Sequence, residues 1–416
     1  MLGGKTAPGH LLPIKFSRPE LGGALADLGT LLPLVVALIS INRMNPTTIL
    51  LLVGLLYIAS GLYYRIPVPV QPLKAFAAIA IALGLAPGVI SAGGLIMGIL
   101  LLFLAVTGLV GWVVKLFPKP VVRGIQLGVG LILLRTALKL ILEPGLSPFG
   151  PAPTLGVGSM VIPLGVLLAL VGIILVLLLL KSRRLPASLA VLGLGLGVSA
   201  YFGLFRGLDG VGLGFDLPAL HIPTGHELYL AFFLLVVPQI PLTLGNAVVG
   251  MEDTARVYFG EGAARVRHRT LCTSMGLTNL VAGALGGMPV CHGAGGLSAH
   301  YRFGARTGAC GVIIGSFLLV LALLLGRSVM PVLSLVPLPI LGVLLVFTGV
   351  QHALLARDMR AWRDRSVVVL IAVLALTTNL AIGFTLGIIA YHVLRRYHVV
   401  SRFLASALDS FLGLFR

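Results

Sequence analysis

Residues 67–76 read PVPVQPLKAF. Three prolines fall within six residues, with the amide of Gln71 among them and Lys74 just behind. The chain on either side is almost wholly apolar. Proline lacks an N–H and disfavours helix at the residue before it. Ile66–Pro72 is therefore expected to be extended, with a helix beginning near Leu73. In lipid, such irregular backbone is tolerated only where protein buries it or where it lines a cavity. The stretch thus marks either a broken span with a purpose or a plain structural kink.

The surrounding composition requires a membrane. Apolar residues make up 58% of the 416 and charged residues only 10%, with a mean hydropathy of +1.09. A soluble domain carries about a quarter charged residues. Ile162–Leu180 and Val367–Leu376 hold no charge at all, and a spanning helix needs roughly 20 apolar residues. The apolar runs are continuous and do not alternate, which excludes a transmembrane β-barrel. The fold class is an all-α polytopic membrane protein.

The net charge of +18 reads as loop charge retained on one side of a membrane, not as a nucleic-acid surface. Cys272, Cys291 and Cys310 show no C-x-x-C spacing, so neither a metal site nor a disulfide framework is indicated. The N-terminal stretch MLGGKTAPGHLLPIKFSRPE is too polar for a cleaved signal peptide.

Apolar runs between charged or Pro/Gly punctuation give about 14 transmembrane segments. They fall at 20–41, 47–64, 67–84, 89–114, 121–142, 161–180 and 186–203, then at 227–250, 270–287, 289–303, 308–326, 337–356, 366–380 and 382–396. Alternate placement of the loops collects most basic clusters on one side, among them Lys115, Lys119 and Arg123; Lys181, Arg183 and Arg184; and Arg265, Arg267 and Arg269. The other side has only Arg43, Lys139, Arg206 and Arg327. The basic side is cytoplasmic by the positive-inside rule, which puts both termini inside. In a prokaryote this is the cell inner membrane.

Two landmarks recur. Pro118–Gly124 opens the fifth segment, and Pro337–Gly342 opens the twelfth 219 residues later. Pro69-Val70 returns as Pro289-Val290, 220 residues on, within GGMPVCHGAGG at 286–296. Two halves of seven segments follow. Seven is odd, so the second half starts on the opposite side, an inverted repeat of the kind secondary transporters use. Two interrupted half-helices, each preceded by a short extended segment, would then bring their N-termini together near the midplane. Free N–H groups and helix dipoles there suit an anion.

Lys74 either adds positive charge to that site or snorkels to the interface. Gln71 can donate to an oxyanion or satisfy an orphan backbone group. His292 can donate to an anion or titrate, or serve as a hydrogen-bonded packing residue. Gly293, Gly295 and Gly296 permit close backbone approach. In the first segment, LGGALADLGTLLPLV, an intramembrane acid such as Asp27 is a functional hypothesis by default. It binds a coupling proton or cation, or pairs with a buried base; Gly29, Thr30 and Pro33 weaken the helix after it. In VVPQIPLTLGNAVVG, helical offsets place Gln239, Thr243 and Asn246 on one face. That face lines a cavity or hydrogen-bonds another helix. Glu252 and Asp253 close this segment as solvated charges.

ELGGALADLGTLLPLVVAL, PVPVQPLKAFAAIA, KPVVRGIQLGVGL, VPQIPLTLGNAVVG and PVCHGAGGLSAHYRFGARTG resemble the molybdate transporter family of plants and prokaryotes, within the sulfate permease superfamily. The match runs from about Phe16 to Arg396. It implies the seven-plus-seven inverted-repeat fold shared with nucleobase symporters. Residues 1–19 would be an N-terminal cytoplasmic segment. Core segments would occupy 20–114 and 227–326, gate segments 115–203 and 337–396, and a short cytoplasmic tail 397–416. The resemblance implies a tetrahedral oxyanion substrate, molybdate first and sulfate next. Its motifs carry over to Asp27, Gly29 and Thr30; to Gln71 and Lys74; to Gln239, Thr243 and Asn246; and to His292 and Gly293. A soluble C-terminal regulatory domain found in many sulfate permeases is not expected, and Ser401–Arg416 reads as a short interfacial amphipathic helix.

The expected activity is secondary active transport, with a proton as coupling ion and alternating access between core and gate. Expected partners are the oxyanion, the proton, the bilayer and a second copy of the chain as a homodimer. No cofactor and no nucleic acid are called for. A nucleobase symporter would favour an acid where the eighth segment has Gln239 and Thr243. An anion channel could use the same site. An enzyme is disfavoured, since no nucleophile–base pair or metal cluster stands out.

Overall fold

The computed structural model describes residues 12–142, 154–157, 160–182, 185–203, 205, 212–328, 331–332 and 335–413. The side chains of 29–30, 154–157, 160–162, 327 and 397–413 fall outside that description. Helix α1, Arg18–Ser40, starts at a proline in its first turn. Helix α2, Pro46–Tyr64, is capped by Asn45, whose side chain accepts from Thr48 N at 2.9 Å. The chain then runs extended into strand β1, Gln71–Pro72, and helix α3, Lys74–Leu83. Ten residues of helix rise about 15 Å, half of the roughly 30 Å hydrocarbon core. Leu73 is the N-cap, as the prolines dictate, and Gly84 ends the helix in the left-handed region at φ 59°.

Helices α4, Pro87–Thr107, α5, Val110–Val114, and α6, Lys119–Leu142, follow. Strands β2, Thr154–Val157, and β3, Met160–Pro163, pair antiparallel. Residues 161–163, expected to open the segment at 161–180, belong to β3 instead. Helices α7, Leu164–Leu179, and α8, Ala187–Tyr201, complete this half of the chain.

Helix α9, Gly225–Ala263, runs 39 residues. It widens into π-helical turns at Ala231–Val236 and Thr243–Val249, on either side of Val237–Leu242 with its Pro238 and Pro241. Each proline removes a donor and crowds the preceding turn, and a wider turn accommodates the ring. After α10, His268–Ala284, comes strand β4, Val290–Cys291, and the short helix α11, Ala294–Arg302. Helices α12, Ala309–Leu325, α13, Leu338–Leu354, α14, Trp362–Thr377, and α15, Leu380–Gly413, end the chain. The C-terminal helix expected from Ser401 is continuous with the last apolar one.

Among the described residues, five helices are long and apolar enough to cross a membrane; α1, bent by 41° between its two parts, makes six. Large apolar side chains such as Val106, Trp112, Leu178 and Val393 stand exposed on the outer surface, where lipid would cover them. Inside, α2 packs along α12, α4 along α10, and α6 along α13 and α14. Glycine makes the first three contacts close. A methyl on Gly54 would stand 2.8 Å from Gly315 O, one on Gly98 2.9 Å from Gly276 O, and one on Gly130 2.6 Å from Gly349 O. Small residues let helix backbones touch where lipid offers no hydrophobic drive for association.

The two proline-glycine breaks meet. β1 and β4 pair antiparallel, Gln71 opposite Cys291 and Pro72 opposite Val290. All four residues are buried.

Candidate functional site

The β1–β4 ladder holds the N-termini of α3 and α11 side by side. Leu73 N donates to Pro289 O at 3.2 Å. Asn279 of α10 clamps the far side of the ladder, accepting from Val290 N at 2.7 Å and donating to Val290 O at 3.1 Å. The first N–H groups of a helix have no intrahelical partner. On α3, Phe76 N finds one in Gln239 Oε1 of α9 at 3.0 Å. On α11, the N–H groups of Ala294 and Gly295 stand ahead of Gly296 and Leu297, which bond back to Gly293 O.

In front of these termini lies a cavity of about 360 Å³. Lys74, Gln239, Asn246, Cys291, Gly295 and Ser298 line one wall, and Gln126 of α6 with Gln351 and His352 of α13 line the other. A second space of about 260 Å³ shares Lys74, Gly295, Ser298, Gln351 and His352 and runs on to Arg302. The two form one cleft. Among the described residues, no carboxylate lines either part.

The polar groups converge on Gly293. A methyl placed there would stand 3.3 Å from Gln71 Oε1, 3.4 Å from Asn246 Nδ2 and 3.9 Å from Lys74 Nζ. Lys74 is half-buried, and among the described residues no carboxylate pairs with it. Arg123 Nη1 donates to Gln126 Oε1 at 2.9 Å, which leaves the amide N–H groups of Gln126 for the cavity. Arg123 is itself held by a two-point bond to Asp358 at 3.0 and 2.7 Å, and Lys119 joins the same carboxylate at 2.9 Å. His352 uses Nδ1 on Thr348 O at 2.9 Å, so Nε2 is its cavity-facing nitrogen.

Of the residues singled out from sequence, Lys74, Gln239, Asn246 and Gly295 line the cavity, and Gln71 and Gly293 adjoin it. Three stand behind it. Thr243 accepts from Gln239 Nε2 at 2.9 Å and so orients that amide. His292, read as an anion donor, a titrating group or a hydrogen-bonded packing residue, has both ring nitrogens occupied, by Pro69 O at 2.8 Å and Ser274 Oγ at 2.9 Å. Its ring ties the two breaks to α10 instead of facing the cavity. Asp27 is fully buried and accepts from Gln71 Nε2 and Tyr57 OH, with His300 Nε2 3.6 Å away. The Thr30 side chain lies outside the described residues. Glu252, read as solvated, is buried; it pairs with Arg256 and accepts from His268 N at 2.8 Å at the start of α10, where a carboxylate suits the helix dipole.

Sequence reading passed over Gln126, Ser298, Gln351 and His352. Gln126 carried a signal, being an amide inside the apolar run of KPVVRGIQLGVGL. Gln351 and His352 fall inside the segment expected at 337–356.

A model of the family described as "Molybdate transporter of MFS superfamily" matches residues 19–133 and 231–352, which contain every residue named above around the cavity. Molybdate transporter 2 of Arabidopsis thaliana is 33% identical over 417 residues, covering 90% of this chain and 87% of that protein. Two solved structures share the fold. The transmembrane domain of the cyanobacterial bicarbonate transporter BicA is 18% identical at a TM-score of 0.61, over 91% of this chain and 98% of that one. The murine anion transporter Slc26a9, in an inward-facing state, is 15% identical at a TM-score of 0.65, over 92% and 70%. The chain is therefore an integral membrane transporter, not an enzyme, with the fold of the solute carrier 26 anion transporters, and it belongs to the molybdate transporter family.

Proposed function

We propose that the protein is a secondary active transporter of a tetrahedral oxyanion, molybdate first and sulfate second, carried together with a proton. The observation that carries this reading is the convergence over Gly293 of the Lys74 ammonium, the Asn246 amide nitrogen and two helix N-termini, in a cleft that no carboxylate lines among the described residues. Helix N-termini and cations favour negative charge, and charge-assisted hydrogen bonds are the strong ones. Lys74, Asn246, Gly295, Gln239 and Gln71 hold the anion; Gln126 and His352 close on it from the opposite wall. Thr243 and His292 position these groups. Asp27, one side chain behind the site, takes the proton.

The seven-plus-seven layout belongs to the same proposal. The pairing of α2 with α12 and of α4 with α10 is what exchange of two halves would produce. The contact glycines recur with it: Gly54 and Gly61 have Gly276 and Gly283 222 residues later, and Gly94 has Gly315 221 later. In this reading the bundle of α1–α4 and α9–α12 carries the anion past α6–α8 and α13–α15. The cleft opens toward the side of Arg302, which is cytoplasmic with both termini.

Uptake of labelled molybdate into proteoliposomes tests the proposal, with sulfate, tungstate and uracil as competitors and with or without an inward proton gradient. Saturable uptake that the gradient drives and oxyanions compete is the expected result. Competition by uracil alone, or uptake that never saturates, would overturn it.

A further inference from the structure

We propose that the side-chain amide of Gln71 is the element that couples proton to anion, by turning over when Asp27 is protonated. This rests on the oxyanion reading above and specifies how that site is regulated.

Asp27 has no solvent exposure, and both its oxygens accept: Oδ1 from Gln71 Nε2 and Oδ2 from Tyr57 OH. Two donors on two oxygens suit the ionised carboxylate, which is acceptor-only. The consequence lies at the other end of the amide. Gln71 Oε1 is buried and, among the described residues, has no hydrogen-bond partner. It points to the place over Gly293 where Asn246 and Lys74 converge. An otherwise donor-lined anion site therefore has one acceptor oxygen facing into it. A buried acceptor left unpaired is unfavourable, and a carbonyl oxygen against an oxyanion is repulsive.

A proton on Asp27 reverses the preference. The acid now donates an O–H toward Gln71, and an amide N–H facing that O–H sets donor against donor. The last torsion of a glutamine is broad and roughly two-fold, so a half-turn exchanges the ends of the amide. Oε1 then accepts from Asp27, and the NH₂ group faces the space over Gly293 with donors for the anion. The arrangement that ionised Asp27 holds turns an acceptor toward the anion and disfavours it, whereas the turned arrangement that protonated Asp27 holds presents donors to it. Linkage makes the effect reciprocal: the anion raises the affinity for the proton by the factor with which the proton raises that for the anion.

Two glycines leave space for the turn. A methyl on Gly296 would stand 2.6 Å from Gln71 Nε2, and one on Gly293 would press on Oε1 at 3.3 Å. The other groups facing Asp27 are consistent with the assignment. His300 Nε2 is 3.6 Å away, too far to replace Gln71 as direct partner, while its Nδ1 lies 2.8 Å from Gly23 O and 3.1 Å from Cys310 Sγ. Tyr57 donates to Asp27 in either state. Lys74 and Cys291 lie beyond Gln71 on the cavity side. Glu20, on the same helix, is held by the backbone N–H groups of Arg306 and Thr307 at 2.8 and 2.9 Å.

The test measures molybdate affinity and proton uptake on the purified full-length protein between pH 6 and 8.5. Wild type is expected to take up as much as one proton per anion bound. Its affinity should fall by up to roughly tenfold per pH unit wherever anion binding takes up a proton. Asp27→Asn fixes a donor toward Gln71, so its binding should be independent of pH and release or take up no proton. Gln71→Met should weaken binding and abolish the pH dependence together. Anion binding by wild type without proton uptake would overturn the switch and leave oxyanion transport standing. So would wild-type pH dependence in Asp27→Asn or Gln71→Met, or loss of binding at every pH in an Asp27→Asn protein that keeps its thermal transition. Failure of the wild type to bind molybdate, sulfate or tungstate would overturn the transport reading as well.

Discussion

Lys74 illustrates how much a single position depends on its surroundings. Sequence alone left it between a substrate contact and a snorkelling side chain; the structure puts its ammonium on the cavity wall beside the N-terminus of α11. A hydrogen bond to a charged group contributes about 1.5–3 kcal/mol. Lys74→Ala should therefore raise the molybdate dissociation constant about 10- to 100-fold, measured by direct binding, with little change in the thermal transition. An unchanged constant would remove Lys74 from the site. Of the residues singled out in advance, Gln71, Lys74, Gly293 and Gly295 share one property: each is polar or small at a break that proline or glycine announces, whereas Gln239 and Asn246 stood out by their spacing on one helical face. Gln126, Gln351 and His352 lie on regular helices. Their role comes from which helix faces which, and a single helix carries no record of its neighbour.

At the scale of elements, the prolines of PVPVQPLKAF announced the extended segment and the start of α3 to within a residue, and GGMPVCHGAGG announced a second extended segment ahead of a half-helix. That the two segments would pair as strands was not legible, because pairing depends on the packing of α10 and α1 against them. Asn279 is the clearest member of that support. Its amide satisfies both backbone groups of Val290 from a fully buried position. Each buried group left unpaired costs about 1–3 kcal/mol. Asn279→Ala should thus destabilise the protein by about 2–4 kcal/mol, seen as a lowered thermal transition in detergent. A transition within a degree of wild type would show that water or a neighbour replaces the clamp. The wide turns of α9 escaped the sequence reading for a related reason. Pro238 and Pro241 signal disruption, but whether a helix kinks, ends or widens depends on what packs against it.

The cleft joins two groups of helices, and the proposed motion should be visible in their separation. Ser298 on α11 and Gln351 on α13 line the same space from opposite sides. In a Cys291→Ala background, cysteines at 298 and 351 bridged by a short bifunctional thiol reagent should arrest uptake, which a cleavable reagent should restore on reduction. Uptake that continues in the bridged protein would show that these walls need not separate. The glycine contacts between α2 and α12 and between α4 and α10 leave little room for sliding within the first group. Displacement as a body is therefore the motion the packing favours.

Cys291, the ladder partner of Gln71, has its own consequence. The residue is 3% exposed and lies on the cavity wall, so the alkylation rate of its thiol is a clock for the opening of the cleft. A membrane-impermeant maleimide applied to right-side-out or inverted vesicles should modify it from one face at a time. Bound molybdate should slow that modification in proportion to occupancy. A side chain with no assigned part in transport would then report, without any substitution in the protein, which way the molecule faces.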